Sequence, residues 1–197
     1  MLPSTPGVPG RLPALRTRPR SLQRQGRVPH SRTELASFNE ICEGTVFYQG
    51  VRDFGVRCPS NRVWTNAFVR LAGPGDTLLS VRAPVGRVNL ATEETCIGRG
   101  VASVRSSSGR PFTLFHLLKD SHEAWAPFEA EGTVFGSINK IQLASLPVPS
   151  IRAEQEERLE GQLAPIERTI ASALAENANL AATRDALLPS SCPAGFG

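Results

Sequence analysis

The sequence from Ser150 to Leu188 reads SIRAEQEERLEGQLAPIERTIASALAENANLAATRDALL. This stretch decides the architecture, because it predicts one long helix over 151–188. Ser150 can cap the helix, the acidic residues that follow suit its positive end, and Pro189 stops it. At ~1.5 Å per residue the helix would be about 57 Å long, more than a domain of this size can cover. The helix is therefore predicted to need a partner.

Apolar residues recur along this helix at alternating steps of four and three, the heptad spacing of a coiled coil. Gly161 and Pro165 interrupt the pattern, because proline lacks an amide donor and crowds the carbonyl of Gly161. We therefore expect a projecting helix that bends near these residues. The predicted helix-pairing residues, whose polar members can fix the register, are Leu159, Leu163, Ile166, Ile170, Ala173, Asn177, Leu180, Arg184 and Leu187.

Residues 36–150 predict a mixed α/β domain. β-type runs at 45–49, 62–71, 77–82 and 100–105 are separated by Gly, Pro, Asp and Asn. Pro111 can open a helix, on which Phe112, Phe115, Leu118 and Trp125 fall in helical register. Residues 132–149 predict a loop, a short helix and a last extended piece. The expected fold class is α+β: a mixed α/β domain followed by a long C-terminal coiled-coil helix.

Charge is distributed unevenly along the chain. Residues 1–33 hold seven arginines and no acid, whereas residues 34–150 hold eleven bases and eleven acids. The proline-rich segment 1–35 cannot bury enough surface to order itself, so we expect a disordered tail there and a disordered end over 189–197. Within the neutral body, residues 52–110 carry nine arginines against four acids. These arginines form either a basic face or a scattered, solvated set.

No catalytic or metal-binding pattern emerges from the sequence. The four cysteines form no CxxC pair, and nothing local supports Cys96 and His116 as a nucleophile pair. The tripeptide at 53–55 matches the kinase magnesium motif by chance, because the other kinase motifs are missing. The apolar stretches are far shorter than the ~20 residues that span a bilayer. We expect a cytoplasmic protein with no membrane contact, catalytic residue, metal or cofactor.

Longer sequence stretches within residues 34–150, here called phrases, resemble the target recognition domain of type I restriction–modification specificity subunits. They are Phe47–Gly55, Gly75–Gly86, Cys96–Gly100 and Gly132–Ile138, the last leading to Pro147. Along the long helix, Glu154-Gln155, Glu176-Asn177 and Leu180–Pro189 look like the spacer helix of the same family. The resemblance covers roughly residues 45–189, with its phrases in the family's order.

This resemblance implies a DNA-reading protein that is not itself an enzyme. Residues 36–150 would be the recognition domain, reading one half of a split site in double-stranded DNA. The helix over 151–188 would be a spacer that pairs antiparallel with a second such helix and docks methyltransferase (M) subunits. A restriction (R) subunit is a further partner that the family suggests. The family usually carries two recognition domains and two helices, so the resemblance also implies a second half, supplied by self-pairing or by a separate chain.

The predicted DNA contacts are donors and acceptors on loops, since such groups read base edges and phosphates. Arg82 and Arg99 lie inside the shared phrases, so they are expected to brace the fold or to hold the DNA backbone, not to set the sequence. The first loop region offers Tyr48, Gln49, Arg52, Arg57, Asn61 and Arg62, and the late loop offers Ser137, Asn139 and Lys140 for phosphate.

Two alternatives stay open at this stage. A coiled-coil homodimer whose globular head binds another protein would use the same heptad seam without DNA. A non-functional, frameshifted fragment of the same gene family is the other alternative, since the segment after Pro189 departs from the family's usual continuation. The target DNA sequence cannot be predicted, because base readout depends on a few side chains of the loops.

Overall fold

The computed structural model of the chain describes residues 38–66, 70–129, 136–149 and 151–188. The predicted disordered segments, 1–35 and 189–197, lie outside these residues. What is described contains two small β-sheets, three short helices and one long C-terminal helix. The predicted α+β class, a mixed α/β domain followed by a long helix, is thus confirmed.

The first sheet has five strands, β1 Phe38–Asn39, β2 Thr45–Tyr48, β3 Trp64–Thr65, β4 Leu71–Ala72 and β7 Thr95–Ile97. Their order across the sheet is β1-β3-β2-β7-β4. The strands β2 and β7 run parallel, with Phe47 opposite Cys96, and the remaining pairs are antiparallel. The short strands β1 and β7 were not predicted, and the described part of the predicted run 62–71 contains β3 and the first residue of β4.

The second sheet lies in the middle of the domain. It is antiparallel, in the order β6-β5-β8, with β5 Thr77–Ser80, β6 Val88–Leu90 and β8 Val101–Val104. All four residues of β5 are buried, because both of its faces are covered. Leu78 joins a cluster shared with the first sheet, whereas Leu79 joins a cluster shared with the helices. The domain therefore has three layers: sheet, sheet and helices.

Asp76, in the stretch that opens at Gly75, joins two parts of the domain. Its buried carboxylate accepts hydrogen bonds from the backbone N–H of Gly73 at 2.9 Å and from the hydroxyl of Ser103 at 2.8 Å. It also pairs with Arg105, whose Nη2 lies 2.7 Å from Oδ2. The aspartate thus ties the turn before β5 to the neighbouring strand β8.

The helical layer begins at Pro111, as the sequence predicts. The register expected to run on to Trp125 is divided between α1 Pro111–Asp120 and α2 His122–Glu129. Between them, the Ser121 hydroxyl donates to the Leu117 carbonyl, and the buried indole of Trp125 donates to the Leu118 carbonyl at 3.2 Å. The predicted short helix is α3 Lys140–Ala144.

The long helix, α4, runs over Ala153–Leu187 and continues through Gly161 and Pro165 without a break. Its 35 residues span about 52 Å. Its first half lies against α1, whereas beyond Ile170 every side chain as far as Leu188 is exposed except that of Ala181, which is half-buried. The bend near Pro165 stays a prediction. In the parts of the chain described above, no helix is long and apolar enough to cross a membrane.

Candidate nucleic-acid interface

The loop over residues 49–62, which follows β2, is organised around Asp53. A 3₁₀ turn, Val51–Asp53, opens the loop, and Oδ2 of Asp53 accepts the backbone N–H groups of Gln49 at 2.8 Å and Gly50 at 3.4 Å. Asp53 is nearly buried, and its carbonyl accepts the N–H of Ser60 at 2.8 Å. The aspartate of the 53–55 tripeptide is therefore a structural cap, in agreement with the reading of that motif as a chance match.

Asn89, on the central sheet, holds the middle of the 49–62 loop. Its Oδ1 accepts the N–H of Gly55 at 2.9 Å, and its Nδ2 donates to the Gly55 carbonyl at 3.0 Å. The next residue, Leu90, donates its N–H to the carbonyl of Arg57 at 2.8 Å. A Cβ at position 55 would lie 2.4 Å from the Cys58 carbonyl oxygen, so the loop requires glycine there. Side-chain and backbone bonds thus keep the loop in one shape.

The outer side of this loop is open to solvent. Gln49, Arg52 and Arg62 are exposed, and among the residues that the structure describes their side chains have no partner. Val56, near the middle of the loop, is 98% exposed. The loop therefore presents two arginines, one glutamine and one valine to solvent from a backbone that hydrogen bonds hold in place.

Tyr48 is corrected from a DNA contact to a core residue. It is only 2% exposed, and its hydroxyl donates to Oδ1 of Asn61 at 2.6 Å. Burial, followed by the nearby charges of Glu93 and Asp53, raises the pKa of Tyr48 well above its ordinary value. Asn61 in turn donates from Nδ2 to Glu93 at 3.0 Å, so both ends of its amide are engaged. The side-chain hydrogen bonds of Asn61 are therefore made within the protein.

Arg57 is likewise turned inward, away from solvent. Its guanidinium forms an ion pair with Glu167 of α4, and the two side chains are 13% and 2% exposed. The guanidinium carbon lies 4.9 Å from the centroid of the Phe115 ring. The sequence marked Arg57 as a DNA contact because it lies in a basic segment, but a carboxylate 110 positions away in the chain already holds its charge.

The late loop offers two free side chains of the three that the sequence selected. Ser137 and Lys140 are exposed, whereas Oδ1 of Asn139 accepts the N–H groups of Ile141 and Gln142, both at 2.9 Å, and so caps α3. Lys140 and Asn139 border a cleft of about 340 Å³ between the two sheets, with Arg70 at another edge. Asn139 therefore shapes this loop.

Arg82 and Arg99 are exposed, and within the described ranges neither side chain has a partner. The backbone of Arg82 forms a bridge with Ser137. Two roles were expected for these arginines. Within the described ranges, neither side chain makes a contact that would brace the fold. Holding the DNA backbone stays a prediction.

A row of glutamates on α4 fastens the helix to the domain, and sequence reasoning did not identify it. Glu156 accepts from Ser108 at 2.6 Å and pairs with Arg110 at 3.2 Å. Glu160 accepts the backbone N–H and the hydroxyl of Thr113, both at 2.8 Å. Together with Glu167, these residues are four and seven positions apart, which places them on one helix face. That spacing could have predicted a polar face that contacts the domain, but the sequence analysis considered only the apolar heptads.

His116 completes the contact around Glu167. Its Nε2 lies 2.8 Å from Oε1 of Glu167. Burial, and then the positive charge of Arg57, lowers the pKa of His116 below its ordinary value of 6.5. Because Arg57 already neutralises the carboxylate, we assign the imidazole as neutral, with Nε2–H donating to Glu167.

Nothing in this region has the composition of a metal or thiol site. Over the described ranges, no group of three or more His, Cys, Asp or Glu residues could hold a metal ion. Cys96 is buried in β7, whereas His116 lies at the contact between α1 and α4. Cys42 is exposed and Cys58 is half-buried, and Cys192 lies outside the described residues.

The predicted helix-pairing residues divide into two groups. Leu163 and Ile170 are half-buried, whereas the others are exposed, with Ile166 at 55%, Leu180 at 60% and Leu187 at 77%. The exposed part of the seam is thus an apolar strip that the described residues leave uncovered. Its exposed members are Leu159, Ile166, Ala173, Asn177, Leu180, Arg184 and Leu187.

Comparison with known proteins gives a consistent set of similarities, although no family model matches the chain. A protein of Methanocaldococcus jannaschii, "Putative type I restriction enzyme MjaX specificity subunit", is 33% identical over 136 residues. That alignment covers 68% of this chain and 32% of the relative. The chain therefore spans about a third of the length of this curated relative.

Solved structures resemble the chain over most of its length. The HsdS subunit from Thermoanaerobacter tengcongensis is 34% identical, with a TM-score of 0.54, over 75% of this chain and 35% of the other. A chain from a structure on complex assembly and conformational transition of the type I R-M system is 33% identical, with a TM-score of 0.57, over 82% of this chain and 40% of the other. The S subunit from M. genitalium, 20% identical with a TM-score of 0.50 over 70% and 36%, supports the fold alone.

Proposed function

Since this chain is a homologue of type I restriction enzyme specificity subunits and spans about a third of their length, we propose that it reads one half of a split DNA site. Residues 36–150 are the recognition domain in this proposal, and 151–188 form the spacer helix. The relatives are named specificity subunits, so we assign methyl transfer and cleavage to partner subunits and no catalytic residue to this chain. Because its ligand would be the cell's own DNA, we place it in the cytoplasm.

The observation that carries the proposal is the ordered 49–62 loop with unpaired cations on its outer side. Phosphates accept hydrogen bonds from arginine, and base edges are read by amides and arginines from loops or helices in a groove. Arg52, Arg62 and Gln49 supply these groups, and Ser137 and Lys140 add donors in the late loop. The body is neutral overall. Partner subunits would therefore supply part of the phosphate neutralisation.

The uncovered strip on α4 supports a second half for the functional unit. An antiparallel pair of such helices would place two recognition domains on the order of 50 Å apart, since each helix is about 52 Å long. That distance corresponds to ~15 base pairs at ~3.4 Å each. If the chain pairs with itself, two-fold symmetry imposes an inverted-repeat site with a fixed gap. We also propose that methyltransferase (M) subunits dock on the paired helices, and that a restriction (R) subunit can join them.

The test is to express this chain together with a type I methyltransferase subunit encoded beside it, and to map the methylated adenines and cytosines of the host DNA. The proposal predicts methylation at one bipartite motif, and duplex binding by the purified complex that falls steeply with salt. The matched control is the same complex with Arg52→Ala and Arg62→Ala together. Methylation that is absent, or that follows no common motif, contradicts the proposal.

The exposed apolar strip also favours a second candidate, a homodimer that binds another protein. Leu180 and Leu187 would pair two copies whether or not DNA is a ligand. The two functions differ in one measurement. A dimer whose affinity for duplex DNA is undetectable at low salt, alone and with the methyltransferase subunit, supports the interaction protein instead.

A further inference from the structure

The 49–62 loop is held from two directions. On the side of the central sheet, Asn89 binds both polar groups of the Gly55 backbone, and Leu90 binds the Arg57 carbonyl. On the other side, the Arg57 side chain leaves the loop and reaches Glu167 of α4. The backbone of the loop is thus tied to the domain, whereas its one inward-pointing cation is tied to the long helix.

The contact between Arg57 and Glu167 is well shielded from solvent. The Glu167 side chain is 2% exposed and that of Arg57 is 13% exposed. Phe115 lies under the guanidinium, and Nε2 of His116 lies 2.8 Å from Oε1 of Glu167, the oxygen that Arg57 also contacts. Removing one member of a buried ion pair leaves the other charge without compensation, and that charge then moves toward water. Because Arg57 lies in the loop beside the backbone bonds to Asn89 and Leu90, we expect its release to loosen the loop there.

The loop residue most affected would be Val56, which immediately precedes Arg57. It is 98% exposed, although both of its neighbours are held by backbone hydrogen bonds. A rigid apolar side chain in this position suits contact with the methyl group of a thymine, which is an apolar mark in the major groove. Such a contact is stronger if the side chain is positioned before DNA arrives, because ordering a loop on binding costs entropy.

We propose that Glu167 is a positioning residue for DNA reading: it holds Arg57 and thereby the shape of the 49–62 loop and the place of Val56. The long helix would then serve the recognition loop directly, besides spacing the two half-sites. This inference rests on the proposed function for its DNA consequence, but the effect on the loop can be measured without DNA.

The experiment compares Glu167→Gln with Glu160→Gln in the full chain. Both changes remove one carboxylate from the same face of α4, but Glu160 contacts the start of α1 and not the loop. Hydrogen exchange would be followed at the amides of Gly55, Ser60 and Leu90. We expect exchange there to be on the order of tenfold faster in Glu167→Gln and unchanged in Glu160→Gln, because local opening costs less once the pair is broken.

The second arm measures DNA reading in the complex with the methyltransferase subunit. Affinity for the methylated motif should fall on the order of tenfold in Glu167→Gln, and Val56→Ala should weaken binding most at sites that carry thymine. If Glu167→Gln does not fold, Arg57→Gln tests the same contact, because glutamine removes the cation that pairs with Glu167. Exchange at Gly55 that is unchanged in Glu167→Gln, or raised equally in Glu160→Gln, overturns the proposal. If wild type binds no duplex while the loop still loosens, the proposed function fails and the positioning of the loop stands.

Discussion

The carboxylate of Glu160 in the long helix accepts hydrogen bonds from both the backbone N–H and the hydroxyl of Thr113, each at 2.8 Å. The N–H groups at the start of a helix have no partner within that helix, and here the residue before Pro111, Arg110, provides no side-chain cap. A negative charge at this end also complements the helix dipole. The cap of α1 is thus supplied by another helix, which links the domain to the spacer.

Replacing Glu160 with alanine should lower the free energy of unfolding by about 1–2 kcal/mol, the usual cost of losing a helix cap. Urea denaturation measures the change. Glu157→Ala is the matched control, because the Glu157 side chain is 78% exposed and its only ion pair in the described residues is with Arg110 at 3.3 Å. Equal losses in the two variants would argue against a capping role for Glu160.

Asn89→Ala should cost about 2 kcal/mol, because it leaves the N–H and the carbonyl of Gly55 without their partner. Limited proteolysis should then cut within 54–60 before the rest of the domain. Asn179→Ala serves as the control, since Asn179 is exposed on α4, is not among the helix-pairing residues, and alanine favours a helix. A loop that stays protected in Asn89→Ala would contradict the role of Asn89.

Stability should fall as the pH drops below 6.5, in part through His116. Because burial and Arg57 lower its pKa in the folded state, the unfolded state binds more protons, and acid favours unfolding. Lys119 acts in the same direction, whereas Asp120 and Glu160 oppose it. Urea midpoints of wild type and His116→Gln between pH 5 and 8 test this. Wild type should lose stability relative to the variant on the acid side. Parallel profiles would exclude the effect.

Arg52→Ala and Arg62→Ala should each weaken duplex binding by the complex across all sequences and reduce the slope of log affinity against log salt by about 1. Both side chains are exposed on the 49–62 loop. Fluorescence anisotropy at several salt concentrations gives the slope. Arg168→Ala, which removes an exposed arginine of α4 that is not among the helix-pairing residues, should leave it unchanged. If the two loop variants keep the wild-type slope, the phosphate contacts lie in the late loop, at Ser137 and Lys140.

The double variant Leu180→Gln and Leu187→Gln should weaken self-association by tenfold or more. Burial of each leucine under a partner helix contributes ~1.5–3 kcal/mol to the free energy of association. Sedimentation velocity over a range of concentrations measures the effect. Ala182→Gln lies off the seam and is the control for the loss of apolar character alone. A wild-type chain that sediments as a monomer at every concentration, and binds the methyltransferase subunit one-to-one, would rule out self-pairing.

The sequence by itself was sufficient for the elements whose signal is local. The long helix follows from its charges, its heptads and Pro189, and the start of α1 follows from Pro111, because proline and periodicity act within a few residues. The predicted cap of the long helix, Ser150, lies outside the described residues, and the helix begins after Arg152 without a side-chain cap from that residue. The central strand β5 was found as an apolar run between turns. The strands β6 and β7 were missed, since three residues carry too little periodicity to distinguish a strand from a loop.

Only the tertiary structure decided which polar side chains of residues 48–62 remain free. Tyr48, Arg57 and Arg62 are all plausible DNA contacts in the sequence, but Tyr48 is buried against Asn61, and Arg57 pairs with a glutamate 110 positions later. Arg62 stays exposed. Whether a charge faces water depends on groups that folding brings beside it from distant parts of the chain, and desolvation and ion pairing take effect only once that neighbourhood exists.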